Sequence, residues 1–592
     1  MMFADEFKNK KSIIVLFIYI ITFAFMFSGL FVYGVNDDTG MRSMALGAYS
    51  GRPDAHLQWL PYVSGFVLSR LYMIFPKVDW YGFFLVLFPV SSLITVFSIC
   101  IYSKKITTNT IVFIGIAAIS FSELLNFQWT TSAAICGASA IMIYIWSNEC
   151  ENQFAMCIYL MLCFFIRTYT FYCMCLGVLW AVLYKCISKI DNNHQSVSKK
   201  DVLGLNIFRS ILSYFRAILV WAMPLLIIVL LSFFIDHSNY SAKDWVAYRE
   251  YCNSRAILYD YTGIPNYDDN VSFWDSNGFN EDTVDMLRMY QIGFLDDVGG
   301  NELDLISSYM KANRSSSFNF KSTVTTINNR LLHSSYIYIL VPFFLCVVIH
   351  FCMKIRKKVF IDAIYIFFNI MFWGAVASYF IYSGKYPDRT EFIVVICMIL
   401  NFFQTFTMEE YRGEVNAIGG FIRSKFLIDE VIMKKCVAIL IIVIISVPLS
   451  KFFYEKYEIR KSQYDRNLIG TEIDNYFYEN NKNYYVMCDA TGIVVTKNFN
   501  IINKSVTPIN TVETLGWGIR NPLWVNKLAL MGGTSINEVI FKDNVYLCAY
   551  DEELASKIKR YIDNNITQCD MKEIDYTDFG LHVYKVNVRE ES

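Results

Sequence analysis

Two adjacent carboxylates, Asp37 and Asp38, follow directly on the first long apolar run of the chain. An acid at that position has water on one side and hydrocarbon on the other. It can act as general base on a hydroxyl whose reaction partner is held in a bilayer. The run Asn36-Asp37-Asp38 also reads as a helix N-terminal signal, because short polar side chains satisfy the free N–H groups there. The two readings are compatible, with one carboxylate serving the helix and the other the reaction.

Cations at comparable positions are the natural complement. The loop Gly384-Lys385-Tyr386-Pro387-Asp388-Arg389 joins two apolar runs and is very short. Lys385 and Arg389 can grip a phosphate there, Arg by its fork and Lys as a point charge. They can equally reach lipid headgroups or pair with Asp388 and Glu391. Arg167, in Phe165-Ile166-Arg167-Thr168-Tyr169, is costly at a membrane edge unless an acid or a ligand phosphate meets it. His56, two residues after Asp54, suits a sugar hydroxyl or a diphosphate, or a solvated loop. Arg255 and Tyr259, with Tyr248 and Tyr261, offer either an aromatic sugar platform or the packing of a loop.

Other chemistries lack their residues. No phosphate-binding Gly-Lys loop, dinucleotide fingerprint or G-x-S-x-G elbow occurs. The 16 Cys sit mostly in apolar runs, and no C-x-x-C motif with a His set points to zinc. A metal is not expected, since one or two carboxylates with basic partners make a poor Mg²⁺ cage. No cofactor is expected either. A net charge of -1 gives no basic field, so no nucleic-acid partner is expected.

The elements that must position these residues are membrane helices. Hydrophobic residues make up 55% of the 592 residues and charged residues 18%, with a mean hydropathy of +0.35. Soluble domains carry about 25% charge, so this composition is that of a membrane protein. Apolar runs of about 18 residues read as spanning helices, since a helix satisfies its own backbone in hydrocarbon. About eleven are expected: 12–34, 80–103, 107–124, 130–147, 154–166, 169–187, 213–235, 335–353, 359–383, 391–408 and 436–454. The short fifth and the sixth, separated by Arg167, suggest a helical hairpin.

Lys and Arg clusters in alternate short loops then fall on one side, which places the N-terminus in the cytoplasm. Segments 35–79, 236–333 and 455–592 fall outside. The expected fold is mainly α: a polytopic membrane domain, 1–454, carrying outer loops 35–79 and 236–333, and a small extracytoplasmic α/β domain, 455–592. Within 35–79, the stretch from His56 to Phe75 reads as a helix lying in the interface or as a re-entrant helix. In the tail, a helix is expected near 464–480. Strands are expected at Tyr484–Met487, Gly492–Thr496 and Asn544–Tyr550, and a further helix at 551–564.

The first span, the acids just outside it, an interfacial helix, a long second outer loop and an outer C-terminal domain together resemble the GT-C superfamily of polyprenyl-phosphate-sugar-dependent glycosyltransferases. The stretch Asn36 to Pro76 is similar to its GtrII-type and protein-mannosyltransferase-like branch. That resemblance gives the acidic catalytic role to Asp37 or Asp38 and the lipid-phosphate role to Lys385, Arg389 and Arg167. It implies a polyprenyl-phosphate sugar as donor and a cell-envelope glycan or glycolipid as acceptor, with transfer at the outer face of a bacterial membrane and inversion at the anomeric carbon. A polysaccharide polymerase and a lipid-linked-oligosaccharide flippase are the rival readings. A flippase needs polar residues near the bilayer midplane, whereas these charges gather at its edge.

Overall fold

A computed structural model of the chain describes residues 2–102, 106–146, 150–194, 222–313, 325, 328–330, 332–354, 359–383, 385–405, 430–488, 498–502 and 509–589. The main elements in chain order are α1 (Met2–Phe27), α2 (Asn36–Leu46), α3 (Tyr62–Ile74), α4 (Trp80–Tyr102), α5 (Ile106–Leu125), α6 (Trp129–Trp146), α7 (Cys150–Ile166) and α8 (Thr168–His194). Then come α9 (Ala222–Asn239), α10 (Lys243–Ala256), α11 (Val271–Ser276), α12 (Glu281–Arg288), α13 (Gly300–Asn313), α14 (Ile337–Lys354), α15 (Val359–Tyr382), α16 (Asp388–Phe403) and the long α17 (Glu430–Glu479). The chain ends with β1 (Tyr484–Cys488), β2 (Thr511–Glu513), α18 (Pro522–Leu530), α19 (Ile536–Val539), β3 (Val545–Ala549), α20 (Glu552–Asn565), β4 (Cys569–Tyr576) and β5 (His582–Val588).

These elements form two compact units. The first holds Met1–Phe31, Phe83–Ser232 and Asn319–Lys461; the second holds Val32–Gly82, Phe233–Phe318 and Ser462–Ser592. The division differs from a cut at 454/455. Loop 35–79 and most of loop 236–333 group with the C-terminal residues. The reason is direct bonding among the three segments, such as Arg560 on Asp282 and Asp285, and Asn537 on the Phe294 carbonyl.

The first unit is helical. Among the described residues, five helices are long and apolar enough to cross a membrane: Trp80–Cys100, Trp129–Trp146, Thr168–Cys186, Ala222–Asn239 and Asp362–Tyr382. Shorter apolar helices, including Ile13–Phe27, Val112–Leu125, Gln153–Ile166 and Ile337–Val348, occupy four more of the expected spans. The expected span 391–408 corresponds to α16, which is 16 residues long and mostly buried. Many of the cations that oriented the topology, among them Lys104, Lys105, Lys199, Lys200, Arg209, Arg356 to Lys358, Arg412, Arg423 and Lys425, lie outside the described residues, as does the expected strand Gly492–Thr496.

Helix α6 is the hub, packing against α7, α8 and α16 and buried from Trp129 to Tyr144. Its small residues permit this. A Cβ on Gly137 would lie 2.2 Å from Met174 of α8, so the helices meet there backbone to side chain. Ser92 and Ser139 bond at 2.8 Å, satisfying two buried hydroxyls between α4 and α6. Helices α7 and α8 meet through Arg167 alone and pack on each other, the hairpin expected from the sequence.

The second unit is built on a mixed five-stranded sheet of order β2-β1-β3-β5-β4. β1 pairs in parallel with β2 and β3, with Val486 opposite Val512 and Leu547; β5 runs antiparallel to β3 and β4. The central strands Tyr-Tyr-Val-Met-Cys and Val-Tyr-Leu-Cys-Ala are near-continuous apolar runs because both faces are covered. Ile473 and Phe477, from the end of α17, pack with Tyr485, Met487, Cys548, Leu581 and Val583. Phe66, Val67, Ile74 and Phe75 leave an apolar face of α3 exposed, as expected of a helix lying in an interface.

Candidate functional site

Helix α2 begins at Asn36, so Asp37 and Asp38 stand in its first turn, where the helix N-terminus favours negative charge. Its cap is Val35, in extended conformation and with no side-chain cap bond, so neither carboxylate is the cap. The helix stops at Gly47, whose φ of 104° is left-handed; a Cβ there would meet the Arg52 backbone at 2.5 Å.

The adjacent carboxylates have different surroundings. Asp38 is fully buried and accepts the Tyr81 hydroxyl at 2.7 Å. Asp37 is half-buried, and its Oδ1 accepts the indole N–H of Trp517 at 2.9 Å. Trp517 lies between Gly516 and Gly518, past β2, and its carbonyl accepts the Tyr248 hydroxyl of α10 at 2.7 Å. Trp59 stands edge-on to the Trp517 ring at 6.1 Å. Gly40 gives the indole its seat, since a Cβ there would lie 3.0 Å from the ring.

One helical turn further on, Arg42 meets Asp79 at 2.8 Å with both side chains buried. Asp79 also accepts Tyr33 at 2.9 Å, Tyr72 at 3.2 Å and the Gly82 N–H at 3.2 Å. Burial works against the Arg42 charge, but Asp79, with Tyr33 and Tyr72, outweighs it and holds the guanidinium above its ordinary value. This corner fixes α2 against the start of α4. Past the end of α2, Lys527 of α18 sits over the Tyr49 ring at 4.5 Å and 3.6 Å from Glu513; burial lowers its pKa despite that acid.

The other residues singled out in this unit are built into packing. His56 Nδ1 is 2.8 Å from Asp54, and Nε2 is 3.4 Å from the Asn239 carbonyl. Its ring stacks on Trp245 at 4.5 Å and meets Tyr62 and Tyr240 edge-on. Burial acts to raise the Asp54 carboxyl, but the bonds from His56 win and hold it below its ordinary value. Arg255 is buried and donates to the Tyr290 hydroxyl. Tyr259 lies against the Tyr290 ring at 4.2 Å and donates to the Leu287 carbonyl at 2.8 Å.

In the first unit, Arg167 sits over the Trp129 ring at 3.7 Å and near Tyr169 at 5.4 Å. Lys385 is exposed, its N–H closing on the Phe380 carbonyl, and Arg389 is half-buried in the first turn of α16. Asp388 is engaged by Arg330 at 3.3 Å. Glu123 holds Lys456 at 2.7 Å and accepts Tyr336 at 2.7 Å. Among the described residues, no group of three or more His, Cys, Asp or Glu is placed to hold a metal.

Sequence reasoning passed over Asp79, Arg42, Trp517, Lys456 and Tyr336. For Asp79 the signal was available, an acid directly before a strongly apolar span. For Trp517 it was an indole between two glycines.

No protein-family model matches the chain, and no curated protein does. Among solved structures the chain is similar to the crystal structure of ArnT from Cupriavidus metallidurans bound to undecaprenyl phosphate. The identity is 9% and the TM-score 0.45, over 97% of this chain and 98% of that one.

Proposed function

We propose that the chain is an integral membrane glycosyltransferase of the GT-C kind, moving a sugar from a polyprenyl-phosphate donor to a cell-envelope glycan or glycolipid. The observation that carries the reading is the state of Asp37. It is half-buried in the first turn of a helix and held through one oxygen by a donor that cannot take a proton. Its other oxygen is the natural acceptor for a substrate hydroxyl proton. Asp38, buried on Tyr81, orders the helix start instead.

In this reading the acceptor hydroxyl attacks the anomeric carbon while Asp37 takes its proton. The glycosidic bond to phosphate breaks, and the polyprenyl phosphate leaves with the electron pair. Lys385, Arg389 and Arg167 are the cations assigned to that charge. A single displacement inverts the anomeric centre, and no metal is required. The bias of Lys and Arg in the short loops supports a cytoplasmic N-terminus, with segments 35–79, 236–333 and 455–592 outside. The test is transfer by the purified full chain from undecaprenyl-phosphate glucose, galactose and mannose to an envelope glycolipid extract, with Asp37→Asn beside wild type. Full activity in Asp37→Asn removes the assigned base.

A further inference from the structure

Three separated stretches of sequence meet on one face of α2. Asp37 and Gly40, three residues apart, share that face, and the Trp517 indole lies across it. Trp517 is in turn tied to α10 by Tyr248 and flanked by Trp59. An indole N–H only donates, so its bond to Asp37 Oδ1 is compatible with the ionised carboxylate and leaves Oδ2 as the remaining acceptor edge. The missing Cβ at position 40 makes room for this ring.

We propose that Trp517, contributed by the C-terminal segment, is the positioning residue for Asp37: it fixes the carboxylate rotamer. The proposal rests on the reading of Asp37 as the base. It gives the C-terminal segment a part in the reaction, since α2 has no side-chain cap to set the orientation of this acid locally. Trp517→Phe keeps the ring and loses the donor.

The test needs no substrate. Full-length protein labelled with ¹⁵N in the indole is titrated from pH 3 to 8 in detergent micelles. One indole resonance is expected to move sigmoidally with pH, to be lost in Trp517→Phe, and to stop moving in Asp37→Asn. If Trp517→Phe does not yield folded protein, the comparison of wild type with Asp37→Asn assigns the resonance by itself. The absence of a pH-dependent indole resonance, or an unchanged titration in Asp37→Asn, overturns the proposal. In transfer from the donors named above, Trp517→Phe is expected to lower kcat about tenfold, the value of one lost bond to a charged group, and to leave the acceptor KM within about twofold. A Trp517→Phe enzyme with wild-type kcat also overturns it. If Asp37→Asn retains full transfer while the indole still titrates, the base assignment fails and the hydrogen bond stands. If Asp37→Asn is inactive and no indole titrates, the positioning proposal fails alone.

Discussion

In the second unit Arg42 meets Asp79 at 2.8 Å; in the first, Lys456 meets Glu123 at 2.7 Å. Both pairs are buried, and both recruit tyrosine. Their geometry differs. Asp79 uses both oxygens, taking Tyr33, Tyr72 and Gly82 on Oδ1 and Arg42 with Tyr33 on Oδ2. Glu123 receives both Lys456 and Tyr336 on Oε1, and the ammonium also rests 4.7 Å from the Tyr336 ring centre. A guanidinium imposes direction, whereas an ammonium is a point charge that tolerates displacement. The Asp79 corner therefore holds α2, through Arg42, in a fixed direction against the segment that carries Tyr72, Asp79 and Gly82. Asp37 stands one helical turn from that corner, half-buried and with one indole bond. The Asp79 carboxylate has partners on both oxygens, whereas the candidate base accepts one indole bond on one of its two.

The largest expected effect separates these two kinds of acid. Asp37→Asn should reduce transfer about a thousandfold, the scale of a lost general base, with little change in melting temperature. Asp79→Ala should do the reverse at first, costing about 3–5 kcal/mol of stability by leaving Arg42 buried without its acid. Thermal melts and single-turnover transfer on both variants check the crossed pattern. Equal effects of the two variants on both readouts would erase the distinction.

The Lys456–Glu123 pair should be more forgiving. Lys456→Met leaves Glu123 with the Tyr336 hydroxyl. A loss of about 1–3 kcal/mol is expected, less than at Asp79. Adding Glu123→Gln should recover most of it, since an apolar or neutral replacement of a whole buried pair is often tolerated. A double-mutant cycle in thermal unfolding measures this coupling. A double variant less stable than Lys456→Met would mean that the pair stabilises more than its own desolvation costs.

What the sequence showed of this arrangement follows from distance along the chain. Asp37 and Asp38 were legible because an acid pair beside an apolar run is a local signal. Their different fates were not, since they depend on Tyr81, 43 residues away, and Trp517, 480 residues away. His56 was legible as a residue type, but Trp245 and Tyr240, which enclose it, come from another segment. Strands β1 and β3 were expected from strand-like alternation at Tyr484–Met487 and Asn544–Tyr550. β2 has three residues, too few to alternate, and β4 reads Cys-Asp-Met-Lys-Glu-Ile-Asp-Tyr, an exposed edge with no buried face to pattern it. The unit division escaped for the same reason: it is made by pairs such as Arg560 with Asp282, which have no local signature.

The smallest expected effect tests whether His56 belongs with the packing or with the candidate site. Asp54 is held below its ordinary pKa, with burial opposing and the His56 ring and backbone bonds prevailing. A carboxyl depressed in the folded state adds stability above its unfolded pKa and loses it as pH falls through the lowered value. The contribution should be present at neutral pH and vanish only in acid. Asp54→Asn should therefore lower the melting temperature slightly at pH 7, by an amount worth about 1 kcal/mol or less, and progressively less as the pH falls through the acid range. His56→Phe, which keeps the stack on Trp245, should lose the same small increment and leave transfer within about twofold. If His56→Phe instead abolishes transfer at unchanged stability, His56 meets substrate, and its place beside Asp54 is part of the site rather than of the packing.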